Sequence, residues 1–429
     1  MRDGQRIIAA LYNDRELLPD NEPPGALESL HRDRVRTVYS LFGPLELRRN
    51  YLHHAKSGSG RFPLDEALGL EAGCTPAVAK LICRAASRAG SYQEASNDLW
   101  AYAGLNFDAR DLGRMVATLA PKLQVALESL PQAPLRTASI DVLYASCDGT
   151  GTPMRREELQ GRKGRQDDGS ARTREAKLGC VFTQSDFDAN GWPLRDEEGN
   201  PLRDPDSTSY VGTYQGCREI AVLLHQEARR RGLDLAKRVV FIGDGAAWVW
   251  ENARMTFPGA IEILDFYHAC QHVGELAEAI HDQDPAQAAA LRTRWCHEMK
   301  RSSPEALLAE SRALLAAHPD WPASKRDAIQ CQISYLESHS ARTRYGDFRD
   351  QGLFIGSGVV EAGCKTVVGR RLKQSGMFWS QTGAENILSL RCLVLGPHFE
   401  NAWSELRSIN ANEQLKARRW INHDAKLAA

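Results

Sequence analysis

The alternation of apolar and polar positions changes character near residue 136. Before that point, residues 37–51 alternate in a way that predicts a β-hairpin with Gly43-Pro44 as its turn, and helical patterns begin at about Pro76. We therefore expect residues 1–135 to form a mainly helical N-terminal accessory region that is separate from the rest of the chain.

Two of the predicted helices in this region are separated by a short break. In the second, Leu112, Val116 and Leu119 recur at helical spacing behind Asp108, a residue that suits an N-cap. The pair fits a helix-turn-helix whose second helix enters a DNA major groove. The same pattern is typical of two packed helices in any α-domain, and the sequence leaves both interpretations open.

From residue 137 onward the pattern is that of strands. Runs rich in apolar and β-branched residues predict strands at 137–147, 174–183, 208–214, 238–243 and 260–265, with helices before each of the last two. Three strands, a helix, a strand, a helix and a strand are typical of an α/β fold with a ribonuclease H-like core. In such a core the first and fourth strands are parallel neighbours, so residues at their carboxyl ends meet in one crevice.

Only helical patterns occur over the next eighty residues, with start signals at Asp284-Pro285 and Ser303-Pro304. We interpret this stretch as an all-helical insertion in the catalytic core. The predicted segments are the first part of the core at 136–266, the insertion at 267–350, the last part of the core at 351–400 and a C-terminal tail at 401–429.

Length and composition limit the class of protein. A chain of 429 residues is too long for one ordinary core, and 42% hydrophobic with 25% charged residues are globular values. No apolar run suggests a secretion signal or a membrane span. Ten scattered cysteines without a Cys-x-x-Cys pair suit reduced thiols, so we expect a bacterial cytoplasmic protein.

Three acidic residues lie where carboxylates suit metal binding. Asp148 and Asp244 each follow an apolar run and precede a glycine, and Glu361 stands at a predicted helix start. Two strand-end aspartates and a helix glutamate suit a pair of hard divalent ions, which prefer oxygen ligands. Asp141, seven residues before Asp148, is a rival on the same strand, but it faces the other side of the sheet and lacks the glycine-rich exit.

The net charge of −1 does not indicate a nucleic-acid binder, but basic residues are concentrated in two stretches. Local basic patches bind phosphates without a high overall charge, although solvated loops and helix faces have similar compositions. Lys365, four residues after Glu361, equally suits an ion pair with it. The candidate DNA-binding residues are Arg162, Lys163 and Arg165 in the first stretch and Lys365, Arg370, Arg371 and Lys373 in the second.

With these residues in place, the chain resembles DDE transposases, and more narrowly the Mutator-related ISKra-type transposases of bacterial insertion sequences. The resemblance covers about residues 145–400 and rests on motifs in a fixed order. The matching segments are 148–154, 158–163, 177–184, 204–208, 243–248, 265–268, 352–361 and 372–377.

The resemblance implies that Asp148, Asp244 and Glu361 form a catalytic triad that holds two Mg²⁺ or Mn²⁺ ions and cleaves and joins DNA. It also implies that Asp265 and His268 are an accessory Asp-x-x-His element, although His268 alone also suits a core histidine. The implied partners are the DNA of the element ends and the target, and a second copy of the chain, because two DNA ends must be paired. Relatives often carry a cysteine pair before the segment at 63–65, which is missing here, so no zinc is expected.

Two alternative functions remain. Residues 146–150 and 243–245 resemble haloacid-dehalogenase phosphatases, but Ser146 stands where that mechanism needs a nucleophilic aspartate two positions before Asp148. The other alternative is a catalytically inactive DNA-binding protein, which the presence of all three carboxylates argues against.

Overall fold

The chain forms two compact units. The structure, a computed structural model, describes residues 2–14, 22–25, 27–132, 140–164, 169–185, 194–195, 197 and 201–410. One unit contains Met1–Pro131 together with the residues from Arg370 onward, and the other contains Gln132–Gly369. The sequence pattern assigned all of 351–400 to the core, whereas the residues from Arg370 belong with the N-terminal region.

The first unit combines a small sheet with helices. Its strands lie in the order β1, β2, β3. They are β1 (Glu28–Ser40), β2 (Gly43–His54) and β3 (Gly60–Arg61). The N-terminal helices are α1 (Arg2–Asn13), α2 (Pro63–Ala67), α3 (Pro76–Arg88), α4 (Tyr92–Ala103) and α5 (Ala109–Ser129).

The predicted hairpin is present, but its turn lies two residues earlier than the sequence indicated. β1 and β2 pair up to Ser40 and Gly43, so Leu41 and Phe42 form the turn and Gly43 begins β2. The Ser40 hydroxyl donates to the Gly43 carbonyl at 2.9 Å and accepts from the Phe42 amide at 3.1 Å. These bonds close the turn without using Pro44, which is why Gly43-Pro44 was the wrong choice.

Helices α4 and α5 confirm the predicted pair of helices. Asp108 caps α5 by accepting from the Asp111 amide at 2.6 Å, and Leu112, Val116 and Leu119 are buried. Gly104 ends α4 in the left-handed conformation at φ 64°, which favours glycine. The apolar face of α5 therefore packs in the core, and its entry into a DNA groove stays a prediction.

The second unit is mixed α/β around a five-stranded mixed sheet. Its strands lie in the order β6, β5, β4, β7, β8. They are β4 (Ile140–Pro153), β5 (Thr173–Gln184), β6 (Ser209–Thr213), β7 (Ala236–Gly243) and β8 (Ile261–Leu264). β4 pairs antiparallel with β5 and parallel with β7, while β8 is parallel to β7 and β6 is antiparallel to β5. The α/β prediction is therefore confirmed.

Strand β4 continues beyond the point where its apolar pattern stops. The sequence ended this strand at Cys147, but β4 pairs with β5 as far as Pro153 opposite Thr173. The pairing with β7 ends earlier, at Ser146 opposite Ile242. Asp148 therefore lies inside a strand, at the point where β4 leaves β7, and not at a strand end as predicted.

The helical insertion follows the predicted pattern. The helices of this unit are α6 (Cys217–Arg230), α7 (Ala247–Thr256), α8 (Phe266–Ile280), α9 (Pro285–Arg301), α10 (Glu305–Ala317), α11 (Ala323–Ser338), α12 (Tyr345–Asp350) and α13 (Gly358–Gly363). Asp284 caps α9 as expected, but Pro304 and not Ser303 precedes α10. After α13 the chain winds one π-helical turn at Cys364–Gly369.

The core of the second unit runs from the sheet into the insertion. Tyr144 and Phe241 of the sheet belong to the same buried cluster as Val273 of α8 and Trp295 of α9. Trp295 is completely buried, and its indole N–H donates to Glu310 Oε2 at 2.8 Å, as expected for a buried indole. Trp295 therefore packs in the core.

The first unit is completed by the helices that follow the π turn. These are α14 (Arg370–Leu372), α15 (Gln381–Leu395) and a last helix at 399–410. Helix α15 packs against α3 and α5 and buries Ile387 and Leu388. Among the described residues of both units, no helix is long and apolar enough to cross a membrane.

Candidate functional site: carboxylates at the ends of the parallel strands

Three aspartates stand level at the carboxyl end of the parallel strands. Ser146 of β4 pairs with Ile242 of β7, so Asp148 and Asp244 lie two residues beyond the same rung. Gly243 pairs with Leu264 of β8, so Asp244 and Asp265 each lie one residue beyond the next rung. The register alone thus brings together side chains that are far apart in the chain.

Asp148 is half-buried and engaged through both carboxylate oxygens. Its Oδ1 accepts from the Gly149 amide at 2.6 Å, and the Cys364 thiol donates to its Oδ2 at 3.4 Å. Cys364 begins the π-helical turn that follows the Glu361 helix. Such turns are frequent at functional sites, and this one connects Asp148 with the helix that carries Glu361.

Asp244 follows β7 in a tight loop. Its Oδ1 accepts from the Ala246 amide at 3.1 Å, and the Tyr335 hydroxyl donates to its backbone carbonyl at 3.4 Å. Gly245 has φ 92°, and the Tyr335 hydroxyl fills the space that a Cβ at Gly245 would take. Helix α11 of the insertion therefore covers the loop that holds Asp244.

The glycines beside the aspartates each lie against a side chain from another element. The side chain of Glu175 lies against Gly149, that of Thr173 against Gly151 and that of Tyr335 against Gly245. These glycines make room for the protein's own side chains.

Hydrogen bonds across the end of the sheet fix the segment that leads to Glu361. Gln184 donates to the Gly352 carbonyl at 3.2 Å, the Phe354 amide donates to the Tyr144 hydroxyl at 3.2 Å and the Phe266 amide donates to the Ile355 carbonyl at 2.9 Å. These bonds connect β5, β4 and the start of α8 with the residues before α13. Glu361 is thereby held near residues more than a hundred positions away.

At the N-terminus of α13, the Ser357 side chain binds Glu361 and does not cap the helix backbone. Its side chain accepts no backbone amide, and its hydroxyl instead donates to Glu361 Oε1 at 3.1 Å. The Glu361 amide donates to the Ser357 carbonyl at 3.1 Å, so the first turn of the helix is closed. Ser357 therefore orients the Glu361 carboxylate.

The environment of Asp148 raises its pKa. Burial raises the pKa of Asp148 above its usual value, and the negative charges of Asp244 and Glu361 raise that pKa further. The hydrogen bonds from Gly149 and Cys364 act in the opposite direction. Burial and the charge of Asp244 also raise the pKa of Cys147. The charges of Asp244 and Glu361 are therefore close enough to affect the pKa of Asp148.

The chemistry of this donor set suits hard cations. In the described part of the second unit, no Lys, Arg or His nitrogen lies within 4 Å of the carboxylate oxygens of Asp148, Asp244 or Glu361. Carboxylate oxygens are ligands that hard divalent ions prefer. Among the described residues, no three His, Cys, Asp or Glu side chains are already close enough to hold one metal ion together.

One cation near this site was not singled out from the sequence. Lys177 pairs with Gly149 across the β4–β5 ladder and is buried. Its Nζ lies 2.8 Å from Glu175 Oε2 and 3.7 Å from the centroid of the Trp248 ring. A lysine within the otherwise apolar run of β5 was the available signal.

The two residues of the accessory Asp-x-x-His element, Asp265 and His268, lie in different environments. Asp265 is buried and caps α8 by accepting from the His268 amide at 2.7 Å. The His268 ring lies beside those of His272 and Tyr335, at centroid distances of 5.0 and 6.4 Å. His268 therefore belongs to an aromatic cluster between α8 and α11.

The candidate DNA-binding residues of the second unit are exposed. Arg162 and Lys163 lie in a small hairpin at the tip of β4 and β5, where the Ala171 amide donates to the Arg162 carbonyl at 3.1 Å. Arg165 lies outside the described residues. Lys365 is exposed and makes no ion pair with Glu361 among the described residues, because the chain enters a π turn at Cys364.

In the first unit, one of the candidate DNA-binding residues is misassigned. Arg370 and Lys373 are exposed, but Arg371 is 1% exposed. The Arg371 guanidinium lies 4.4 Å from the Tyr92 ring centroid and 5.1 Å from that of Trp379, and it donates to the Ala86 carbonyl. Arg371 therefore packs in the interior of the unit and has almost no exposed surface. Trp379 packs there as well.

The position of Ser146 argues against the phosphatase alternative. Its side chain is buried in β4, and its hydroxyl makes no hydrogen bond among the described residues. A nucleophile needs access to substrate and a base that activates it.

Comparisons with known proteins add no family: no protein-family model matches the chain, and no curated protein matches it significantly.

Proposed function

We propose that this protein is a DNA transposase that cleaves and joins phosphodiester bonds at the ends of an insertion sequence. The observation that carries the proposal is geometric: the strand register brings Asp148 and Asp244 level at the carboxyl ends of β4 and β7, and Cys364, which follows the Glu361 helix, donates to Asp148. Acidic residues that gather at a sheet edge without cationic partners weaken the fold, and such sites are typically functional. The motif resemblance supports the same triad.

The architecture supports a ribonuclease H-like core for this reaction. The central strand β4 is flanked by antiparallel β5 and parallel β7, and the order β6, β5, β4, β7, β8 suits that class of fold. The helical insertion lies in sequence between Asp265 and Glu361. On this assignment, Asp148 lies in β4 and Asp244 directly follows β7, which are the central parallel pair of strands.

The three carboxylates are suited to bind two Mg²⁺ or Mn²⁺ ions, with Asp148 shared, Asp244 on one side and Glu361 on the other. Bound ions of this kind activate the attacking oxygen and stabilise the leaving oxygen of a phosphodiester. The chain's own contribution is orientation. The Gly149 amide and the Cys364 thiol hold Asp148, and Ser357 holds Glu361.

The substrate in this proposal is DNA. The exposed hairpin with Arg162 and Lys163 follows the end of β4, the strand that carries Asp148. Exposed cations that follow this strand are suited to contact DNA phosphates. Pairing two DNA ends further implies a dimer or larger assembly in the bacterial cytoplasm.

A strand-cleavage assay tests the proposal. The full-length protein is incubated with DNA that flanks its own gene, in Mg²⁺, Mn²⁺ or EDTA. We expect metal-dependent nicks that leave 3′-hydroxyl ends and the joining of these ends to a second duplex. Binding of this DNA without any nick in Mg²⁺ or Mn²⁺ would favour the catalytically inactive alternative and refute the proposal.

A further inference from the structure

Asp265 stands level with Asp148 and Asp244 but is held in a different way. Its side chain is only 2% exposed. Its Oδ1 accepts from the His268 amide, and its Oδ2 accepts from the Ser357 amide. Both oxygens of this buried carboxylate accept from backbone amides, so Asp265 joins two segments of the chain. Its role must be sought in what it holds.

The second of these bonds joins two segments that are 92 residues apart. Beside it, the Phe266 amide donates to the Ile355 carbonyl at 2.9 Å, so residues 265–266 and 355–357 lie together. The Ser357 hydroxyl then donates to Glu361 Oε1 at 3.1 Å. A continuous chain of hydrogen bonds therefore runs from Asp265 through Ser357 to Glu361.

The strength of the hydrogen bond between Asp265 and Ser357 matters for Glu361, the last residue in this series of hydrogen bonds. Hydrogen bonds to an ionised acceptor are shorter and stronger than neutral ones. Glu361 lies on a helix of only six residues, between a loop and a π turn, which fixes it weakly by itself. A displacement of about 1 Å in a reacting group costs on the order of 100-fold in rate.

We propose that Asp265 is a positioning residue for Glu361: it holds Ser357, whose hydroxyl orients the Glu361 carboxylate toward Asp148 and Asp244. The catalytic consequence rests on the proposed function, because it requires that Glu361 take part in strand cleavage. The positional link itself depends only on the hydrogen bonds above.

The substitution Asp265→Asn separates the two bonds that Asp265 makes. An asparagine still caps α8 through its amide oxygen, so the bond from His268 is kept. Its amide nitrogen, however, faces the Ser357 N–H, and a donor replaces an acceptor. Ser357→Ala is the complementary change, since it keeps the backbone amide that Asp265 binds and removes the hydroxyl that Glu361 binds.

We expect Asp265→Asn to lower kcat for strand cleavage by about 10- to 100-fold with little change in KM for DNA. Ser357→Ala should lower kcat by a similar or smaller factor. If both residues act through one series of hydrogen bonds, kcat of the double variant should be no lower than kcat of the slower single variant. Losses that multiply in the double variant, or an unchanged kcat in Asp265→Asn, would overturn the proposal.

Asp284→Asn is the matched control. Asp284 caps the next helix, α9, by accepting from the amides of Ala286 and Gln287, but its second oxygen binds only the Gln287 side chain. It therefore resembles Asp265 in cap chemistry and lacks the bond to a distant segment. We expect wild-type kcat in this variant.

Hydrogen exchange tests the positional link without any cleavage activity. Amide exchange in a peptide covering 353–361 should become at least tenfold faster in Asp265→Asn and stay unchanged in Asp284→Asn. If the wild-type protein cleaves no DNA, the proposed function fails, while this measurement still decides whether Asp265 fixes the Glu361 segment. Unchanged exchange in Asp265→Asn would refute the positioning role.

Discussion

Each unit contains a partly buried aspartate, but the charges around these two aspartates have opposite signs. In the first unit, Asp65 receives the buried guanidinium of Arg49, and Arg36 lies 3.8 Å from the same oxygen. In the second unit, burial raises the pKa of Asp148, and the nearby charges of Asp244 and Glu361 raise it further. A buried charge with a partner stabilises the unit around it, whereas like charges gathered at a sheet edge destabilise it.

The largest effect should come from removing the charge at the centre of the second arrangement. Asp148→Asn keeps the shape of the side chain and removes one charge, so cleavage should fall at least about 1,000-fold, a size typical of groups that act in the transition state. The assay is metal-dependent nicking of element-end DNA. Retained cleavage would remove Asp148 from the triad.

Asp141→Asn is the matched control on the same strand. Asp141 forms an exposed ion pair with Lys237 at 2.6 Å. Such pairs contribute less than about 1 kcal/mol. This variant should cleave DNA like the wild type. A loss of cleavage would show that the effect of Asp148→Asn is not specific to the carboxylate site.

The same substitution should have the opposite effect on stability. The pKa of Asp148 is raised in the folded protein, so the folded state binds the proton more tightly than the unfolded state does. Stability from this group is therefore present below its unfolded pKa and is lost as pH rises through the folded pKa. At pH 7 the charged form destabilises the unit, and Asp148→Asn should raise Tm by a few degrees in metal-free buffer.

Thermal unfolding from pH 4 to pH 8 checks this sign. The difference in Tm between Asp148→Asn and the wild type should shrink toward acid pH, where the wild-type side chain is neutral as well. A lower Tm for the variant at pH 7 would mean that the site is not strained by like charges.

The first unit should respond in the reverse order. Arg49 is 2% exposed and lies 3.6 Å from the Phe62 ring centroid, so Arg49→Met leaves Asp65 without its main partner. We expect a loss of about 3–5 kcal/mol in the free energy of unfolding. Denaturant unfolding of the variant measures it. The control is Arg36→Met, whose exposed and longer contact with Asp65 should contribute under about 1 kcal/mol. Equal losses in both variants would contradict the paired-charge interpretation.

The sequence predicted the sheet and two of the carboxylates because these depend on local patterns. Apolar runs marked β4 and β7, and the parallel register then brought Asp148 and Asp244 level. The helix at Glu361 was also visible, but its attachment was not. That attachment depends on side-chain bonds such as Gln184 to Gly352 and Tyr144 to Phe354, which no local pattern encodes.

Residues of one type were also indistinguishable until their partners were known. Asp148 and Asp265 both follow apolar runs, yet one faces like charges and the other accepts two backbone amides. Arg370 and Arg371 are neighbours in one basic stretch, yet only Arg371 lies between Tyr92 and Trp379. The burial of Arg371 depends on Tyr92, which lies nearly 280 positions earlier in the chain, and this burial decides the role of Arg371.

The smallest effect concerns the basic hairpin that follows β4, where the charged side chains are exposed to solvent. Arg162 and Lys163 are exposed, and the charge of Arg162 contributes to lowering the pKa of Arg174, after burial, so cations repel one another here. A DNA backbone would relieve this repulsion. Replacing both residues with glutamine should weaken DNA binding modestly and reduce the slope of log K against log salt by about 2. The control is Arg294→Gln, because Arg294 is exposed but already paired with Glu310 at 2.7 Å. If the salt slope of the double variant equals that of the wild type, the hairpin does not contact phosphates, and the carboxylate site must take its DNA from another surface.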